Sequence, residues 1–416
     1  TTSTASWIAT RSATTTTACT GTIQVLLDNT PNCVAMTSAA PVLSNGNKTV
    51  TYTPVALASG QRYKIRVMLG VESVSGRILT SVFTQANGWK TIAGVSTFAG
   101  TGMRGAINGP GSSATFWYPT GVATDSLGNI YVADQTNHLI RKIDNAGNVT
   151  TFAGTGLQGS VDGVCTAASF RYPTAVAVDS INNVLVADYG NHKIRKITPA
   201  GVVTTYAGCL DQVTECPGYE SIDNVNPFLA MFTLPAAVAL DSVGNLFVAQ
   251  FSGYIRKISI SGSVTTLGVS GVPYRFARSF GLAIDSSDNI FVADSGYNLI
   301  RKISSTNVLS VYAGCSTPPC PEGFADGSSG TAAFSDPRGL TFDSAGNLYV
   351  ADLGNSRIRK IDTFGFVSTF AGNGTFGAVN GSLATASFRD VSALTIMSNG
   401  VMYIADSDNN MIRKIQ

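Results

Sequence analysis

Few side chains in this 416-residue chain are suited to chemistry. The two histidines, His138 and His192, each stand two residues before the same tetrapeptide, Ile-Arg-Lys-Ile. Imidazole serves as metal ligand or general base. Inheritance of a repeat accounts for their shared position, and no third ligand accompanies them. The seven cysteines form three pairs close in sequence: Cys19 with Cys33, Cys209 with Cys216, and Cys315 with Cys320. No histidine lies near the latter two pairs, so metal binding lacks support. Disulfide staples in an oxidising, secreted setting are the expected state. Cys165 is left over, either as a buried thiol or as an intermolecular link. Glycine-rich loops such as Gly154-Thr-Gly156 precede no helix, which argues against a phosphate cradle. No set of nucleophile, base and orienting group is visible. The expectation is a chain without catalytic residues, bound metal or cofactor.

The elements that must position these residues are set by repetition. Ile-Arg-Lys-Ile occurs six times, beginning at Ile140, Ile194, Ile255, Ile300, Ile358 and Ile412. Self-similarity on this scale marks a propeller or a solenoid. Within one copy, Gly121-Val-Ala-Thr, Ile130-Tyr-Val-Ala, His138 to Ile143 and Val149-Thr-Thr-Phe152 read as strands. Asp125 to Asn129 and Asn145 to Asn148 read as turns. Four antiparallel strands make one propeller blade. The two isoleucines of Ile-Arg-Lys-Ile point to opposite faces of their strand. Both faces must therefore be buried, as in a sheet wedged between two others. The Arg and Lys are expected near the outer part of the blade, stems on apolar surface and heads in water. The sixth copy lacks a fourth strand, because the sequence ends just after the third. Val95-Ser-Thr-Phe-Ala-Gly100 matches the fourth-strand phrases at Val149 and Val367. Residues 95–100 are expected to close the ring and remove its open edge. The innermost strands, from Gly121, Ala175, Ala237, Gly281, Gly339 and Ala393, are apolar and offer no convergent ligands for Zn²⁺ or Ca²⁺.

The recurring phrase D-S-x-G-N-[IL]-[YF]-V-A-D resembles that of the NHL-repeat family of six-bladed propellers, over roughly residues 92–416. Gln250 departs from it, where other copies have Asp134, Asp188, Asp294, Asp352 and Asp406; Met397 replaces the turn aspartate of the last copy. These departures put a shared ligand site in doubt, and hydrogen bonding at turns and blade edges accounts for the aspartates. The resemblance implies two alternative functions. Related propellers include metal-dependent hydrolases and lyases, and some family members bind RNA.

Residues 1–91 contain no copy of the repeat. Residues 21–91 carry strand-like runs at Thr22 to Leu27, Thr49 to Thr53, Tyr63 to Leu69 and Leu79 to Phe83, separated by turn clusters. A small sandwich is expected. The P-x-x-x-L-x-x-G-x-x-Y rhythm resembles bacterial immunoglobulin-like surface modules, which implies a spacer or an assembly element. Residues 1–20 are rich in Thr, Ser and Ala, with Thr14, Thr15, Thr16 and Thr17 in a row and Trp7-Ile8 as an apolar anchor. They form either the first strand of their own sandwich or a strand donated to a neighbouring molecule.

Net charge is +2, with 12% charged residues, so composition does not call for a nucleic-acid partner. No run of eighteen apolar residues is present to span a membrane. Asn47, Asn148, Asn373 and Asn380 begin glycosylation sequons, all in predicted turns or loops. The connections Gly154 to Pro173, Gly208 to Pro235 and Gly314 to Pro337 share a G-x-x-D-G-x-x-x-x-A-x-F rhythm; Gly268 to Phe280 is much shorter. Loops on a rigid scaffold are where binding usually resides. The sequence therefore reads as a secreted or cell-surface, non-enzymatic structural or interaction protein. It would assemble with other copies through its N-terminal segment, or bind extracellular proteins or glycans through its loop rim.

Overall fold

The computed structural model describes residues 93–209 and 221–416, together with six short strands between residues 23 and 90. Two units divide the chain, Thr1–Ala93 with Gln416 and Gly94–Ile415. In the first, Ile23–Leu27 pairs antiparallel with Arg62–Val67, which also pairs with Phe83–Thr84 and Trp89–Lys90. Val42–Ser44 pairs with Thr49–Thr51. The expected sandwich packing lies outside the described residues. So do Trp7, Ile8, Thr14, Thr15, Thr16, Thr17, Cys19, Cys33, Asn47 and Cys216.

The second unit is six antiparallel sheets whose first strands surround a central channel. Blade 1 runs outward as Pro119–Thr124, Ile130–Asp134, Leu139–Ile143 and Asn148–Ala153. Blades 2 to 5 begin at Pro173, Pro235, Ser279 and Pro337. Blade 6 combines Val391–Ile396, Met402–Asp406 and Met411–Ile415 with Gly94–Ala99 from the start of the unit. The register there sets Ile412 against Ala99 and Ile415 against Val95. The two ends of the unit are thus hydrogen-bonded within one sheet.

Every residue of each second strand is buried, because a blade is covered on both faces by its neighbours. Tyr131, Ala133 and Ile140 of blade 1, for example, pack with Val176, Val184, Val186 and Ile197 of blade 2. Four blades are larger than the sequence predicts. Gly109–Pro110, Gly163–Val164, Gly327–Ser328 and Gly381–Ser382 add a short fifth strand outside blades 1, 2, 5 and 6. The Asp-Gly pairs of blades 2 and 5 and the Asn-Gly pairs of blades 1 and 6 supply it.

The repeated arginine overturns the expectation of an outward-facing charge. Arg141, Arg195, Arg256, Arg359 and Arg413 are fully buried. Arg141 shows the pattern. One terminal nitrogen donates to Asp134 at 2.8 Å and to the Thr115 carbonyl at 3.1 Å. The other donates to the Ile107 carbonyl at 3.1 Å and to Asn108 Oδ1 at 2.7 Å. The guanidinium carbon stands 5.3 Å from the centre of the Phe116 ring. Arg195, Arg359 and Arg413 repeat these bonds through Asp188 and Asp162, Asp352 and Asp326, and Asp406 and Asn380. The guanidinium is the cation best suited to this position, since its planar fork is weakly hydrated and bonds several acceptors at once. Lys142, the next residue, points to the other face and is half-buried, its ammonium 5.8 Å from the centre of the Tyr131 ring.

The partner aspartates do more than hydrogen-bond a turn. Asp134 accepts from the Trp117 backbone N–H at 2.8 Å and from Asn137 at 2.8 Å, in addition to Arg141. Burial pushes the Asp134 and Asp188 carboxyls up to about 6, against the lowering pull of Arg141 and Arg195, so both are ionised at neutral pH. Gln250 occupies the same position with different bonds, accepting from Thr233 N–H and donating to Ser221 Oγ at 2.9 Å. Arg256 takes its carboxylate from Asp223 instead, at 2.8 Å.

The histidines are structural links. His138 and His192 are left-handed residues ending the short turns between second and third strands, with φ of 56° and 57°. Their Nδ1 atoms accept the backbone N–H of Tyr172 at 3.1 Å and of Leu234 at 3.2 Å, at the entry to the next blade. In blades 4 and 6 the Oδ1 atoms of Asn298 and Asn410 accept the equivalent N–H groups of Asp336 and Tyr118. Burial first, and then the Arg171 charge, hold the His138 imidazole below its ordinary range. Burial also lowers His192, with a bond to Phe232 opposing and Arg171 adding to the shift.

Two predictions follow from these bonds. Arg141 has one carboxylate partner among the described residues, whereas Arg195 has two. Asp134→Asn should therefore cost about 3–5 kcal/mol, the range for breaking a buried ion pair. Asp188→Asn should cost clearly less, because Asp162 remains; urea unfolding of the two variants measures the difference. The second concerns pH. A lowered histidine pKa means that the unfolded chain binds more protons, so stability is present above about pH 6.5 and falls as the pH drops below it. The double variant His138→Asn/His192→Asn keeps an acceptor at both links and should lose less stability than the wild type between pH 7 and 5. Parallel thermal melts across that range check it.

Candidate functional site

The long connections between blades emerge on the face where the inner strands begin. Arg141, Arg195 and Arg413 bond the carbonyls of Ile107, Val161 and Val379 at 3.1, 3.0 and 3.1 Å. A second tether comes from the turn asparagines. Asn137, Asn191, Asn355 and Asn409 donate to the carbonyls of Gly105, Gly159, Gly323 and Gly377 at 2.6 to 2.8 Å. The backbone of each of these connections is thus bonded to a buried guanidinium or a half-buried amide, while its apolar side chains face solvent. Ile107 and Val161 are 61% exposed and Val379 58%; Met103, Leu157 and Phe376 exceed 70%. Phe116, Phe170, Phe232, Phe334 and Phe388, at the far ends of the connections, are buried instead.

Cys315 and Cys320 are joined by a disulfide within the connection that enters blade 5. The Cys320 N–H donates to the Tyr297 carbonyl at 3.1 Å, fixing this loop on the preceding turn. Cys209 is also disulfide-bonded. Cys165 is a free, half-buried thiol that packs against Gly201. The sequon residues Asn148, Asn373 and Asn380 are exposed. Asn148 is the first residue of the outer strand of blade 1 and donates to Asp144 at 3.0 Å. Asn373 and Asn380 lie on the connection into blade 6, where Asn380 Oδ1 accepts from Arg413 at 2.8 Å.

The channel opens on the same face. Thr120, Thr174, Ala236, Phe280, Arg338 and Ser392 line this mouth, in a cavity of about 170 Å³. These residues precede the apolar segments from which the sequence reading starts its inner strands. The ring at the mouth therefore escaped it, although the residue immediately before each apolar segment carried the signal. Arg338 stands 4.7 Å from the centre of the Phe280 ring and pairs with Asp336 at 3.1 Å. The Tyr118 hydroxyl donates to the Asp390 carboxylate. Burial, reinforced by Asp390, pushes the Tyr118 phenol well above its ordinary range and keeps it protonated as a donor. Burial likewise raises Asp390. Ser407 donates to Ser392 at 2.8 Å behind the ring.

This arrangement offers hydroxyls and one cation around a narrow opening. It suits the capture of a polar or anionic group. Among the described residues, no three His, Cys, Asp or Glu side chains gather in a metal-binding cluster. His138 and His192 are committed to the links between blades.

Comparison with known proteins places this architecture. The profile of the Teneurin NHL domain matches residues 215–388, and that of the NHL repeat matches residues 116–143 and 170–197. NHL repeat-containing protein 2 of Homo sapiens is 30% identical over 335 residues, covering 71% of this chain and 46% of that protein. The chloroplastic protein SUPPRESSOR OF QUENCHING 1 of Arabidopsis thaliana is 27% identical, covering 76% of this chain and 26% of that protein. The chain thus spans less than half the length of these relatives. Among solved structures, a protein of unknown function from Bacteroides thetaiotaomicron superposes with a TM-score of 0.63 at 20% identity, over 96% of this chain and 92% of that one. An auxiliary nutrient binding protein from Bacteroides ovatus gives 0.62 at 15% identity, over 95% and 90%. These last two likenesses concern the fold alone. Gly94–Ile415 is a six-bladed β-propeller built from NHL repeats.

Proposed function

We propose that the chain is a secreted, non-enzymatic interaction scaffold that binds protein partners on its long-connection face and joins other copies of itself through residues 1–20. One observation carries the first part. The connections are held by buried guanidinium groups and half-buried amides, while Met103, Ile107, Leu157, Val161, Phe376 and Val379 are left in water. Exposed apolar side chains on a rigid backbone lose little conformational entropy when a partner covers them. The disulfide at Cys315 and Cys320 supports an oxidising compartment. The polar mouth supplies recognition of a polar or anionic group at the centre of the face. Self-association rests on the Thr-rich composition of residues 1–20 and on strand addition as its means.

Light scattering and electron microscopy of the full chain test the assembly. Species larger than the monomer are expected, and a single monomeric species with residues 1–20 intact would sink that part. The face is tested by Ile107→Ser/Val161→Ser/Val379→Ser. Each exposed substitution should change stability by no more than about 0.5 kcal/mol. Binding of a partner isolated with the native protein should fall at least about tenfold, read by surface plasmon resonance; unchanged binding would remove the face from the reading.

A further inference from the structure

Blade 4 lacks a part that every other blade has, and the other blades show what the part is made of. In blades 1, 2, 5 and 6 the entering connection lays a short fifth strand along the outer strand. In blade 3 the bridge between Asn224 and Val264 stands at the same place. The connection into blade 4 is the short one. It folds on itself as a hairpin, Gly268–Val269 against Val272–Pro273, and leaves the outer strand Leu309–Ala313 at the edge of its sheet.

Three consequences appear at that edge. Arg301 is 17% exposed at its side chain, where the other five arginines are fully buried. One of its terminal nitrogens bonds the Arg275 carbonyl at 3.0 Å and Asp294 at 3.3 Å. The other has no hydrogen-bond partner among the described residues, whereas in Arg195 it bonds the Val161 carbonyl and the Asp162 carboxylate. Leu309 is half-buried, while its counterparts Val95, Val149, Val203, Val264 and Val367 are at most 3% exposed. Finally, Asp162 and Asp223 also accept the outer-strand N–H groups of Thr205 and Thr266, at 3.0 and 2.8 Å. The corresponding residue in blade 4 is Val311, which sits opposite Arg301 and has no carboxylate beside it.

We propose that the open edge of blade 4 is a docking site for an extended segment of another protein carrying an apolar residue, then aspartate, then glycine. The aspartate would pair with the free half of Arg301 and accept the Val311 N–H. The preceding carbonyl would accept the second Arg301 bond, and the following residues would add a fifth strand over Leu309. Val161-Asp162-Gly163 in blade 2 and Ala325-Asp326-Gly327 in blade 5 are this occupant supplied from within. Addition of a strand to an open edge supplies main-chain bonds, and the partly exposed Arg301 guanidinium supplies selectivity. Residues 1–20 contain no Asp, Asn or Gly. The edge therefore calls for a different segment from the one proposed for self-association, and the two ideas stand or fall separately.

The probe is a capped, fluorescently labelled peptide of residues 159–164, Gly-Ser-Val-Asp-Gly-Val, added to the full chain. Saturable binding by fluorescence anisotropy is expected, with slowed hydrogen exchange confined to residues 309–313. Replacing the peptide's aspartate with alanine should weaken binding about tenfold or more, the worth of a charge-assisted bond. Arg301→Gln should do the same. The peptide variant decides the matter if Arg301→Gln does not fold. Absence of binding to the folded wild type, equal binding of the alanine peptide, or protection elsewhere than blade 4 overturns the proposal.

Discussion

Each blade is organised around a guanidinium held away from water. An unpaired charge in that position would cost several kcal/mol, so in the five blades where the guanidinium is fully buried its surroundings are constrained until both terminal nitrogens have acceptors. The acceptors come from three places: the second strand of the same blade, the end of the entering connection and the middle of that connection. Arg141 joins Asp134, Thr115 and Ile107 in this way, residues 7, 26 and 34 positions away. A loop that passes over the surface is thereby bonded as firmly as a strand. In all six arginines Nε lacks an acceptor, so the terminal nitrogens carry these attachments.

The variation among blades shows which part of the constraint is strict. The second-strand position is Asp in five blades and Gln in the remaining one, and the connection position is Asn108, Asp162, Asp223, Asp326 or Asn380. Where the second strand gives up its carboxylate, at Gln250, the connection supplies one through Asp223. Where the connection has Asn108 or Asn380, the second strand keeps Asp134 or Asp406. Each arginine retains at least one carboxylate, from either side. Blade 4 follows the rule as well: with no connection residue available, Arg301 pairs with Asp294 and turns partly toward solvent. Burial pulls Arg256 below its ordinary value, against the opposing charge of Asp223.

The sequence made the blade count and the closing strand legible because both rest on repetition and on two-residue alternation, which tie a phrase such as Val-Ser-Thr-Phe-Ala to one place in a sheet. Alternation says which face a residue points to. It does not say what lies beyond that face. Arg141 and Lys142 look interchangeable as cationic residues on a strand, yet one meets a connection 34 residues upstream and the other meets Tyr131 near the surface. The Asp-Gly phrases were visible as a rhythm, but their pairing with the arginines needs the third dimension. The channel mouth was missed for a simpler reason. Strands read from their apolar runs begin too late, so Thr120, Thr174, Arg338 and Ser392 fell outside them.

This division of labour explains how so regular a frame can carry specific recognition. The residues that fix the connections are buried and repeat from blade to blade. The residues at the mouth, Thr, Thr, Ala, Phe, Arg and Ser in chain order, lie at equivalent places and differ, because no arginine clamp uses them. The exposed apolar side chains of the connections are equally free, since the loop is held by its carbonyls and by its Asp or Asn side chain. Stability and recognition therefore draw on different atoms of the same segments. A change at Ile107 alters what the face presents while the carbonyl that Arg141 holds stays in place. A change at Arg141 removes one of the two tethers on its own loop, and with it the fixed placement of the side chains that loop displays.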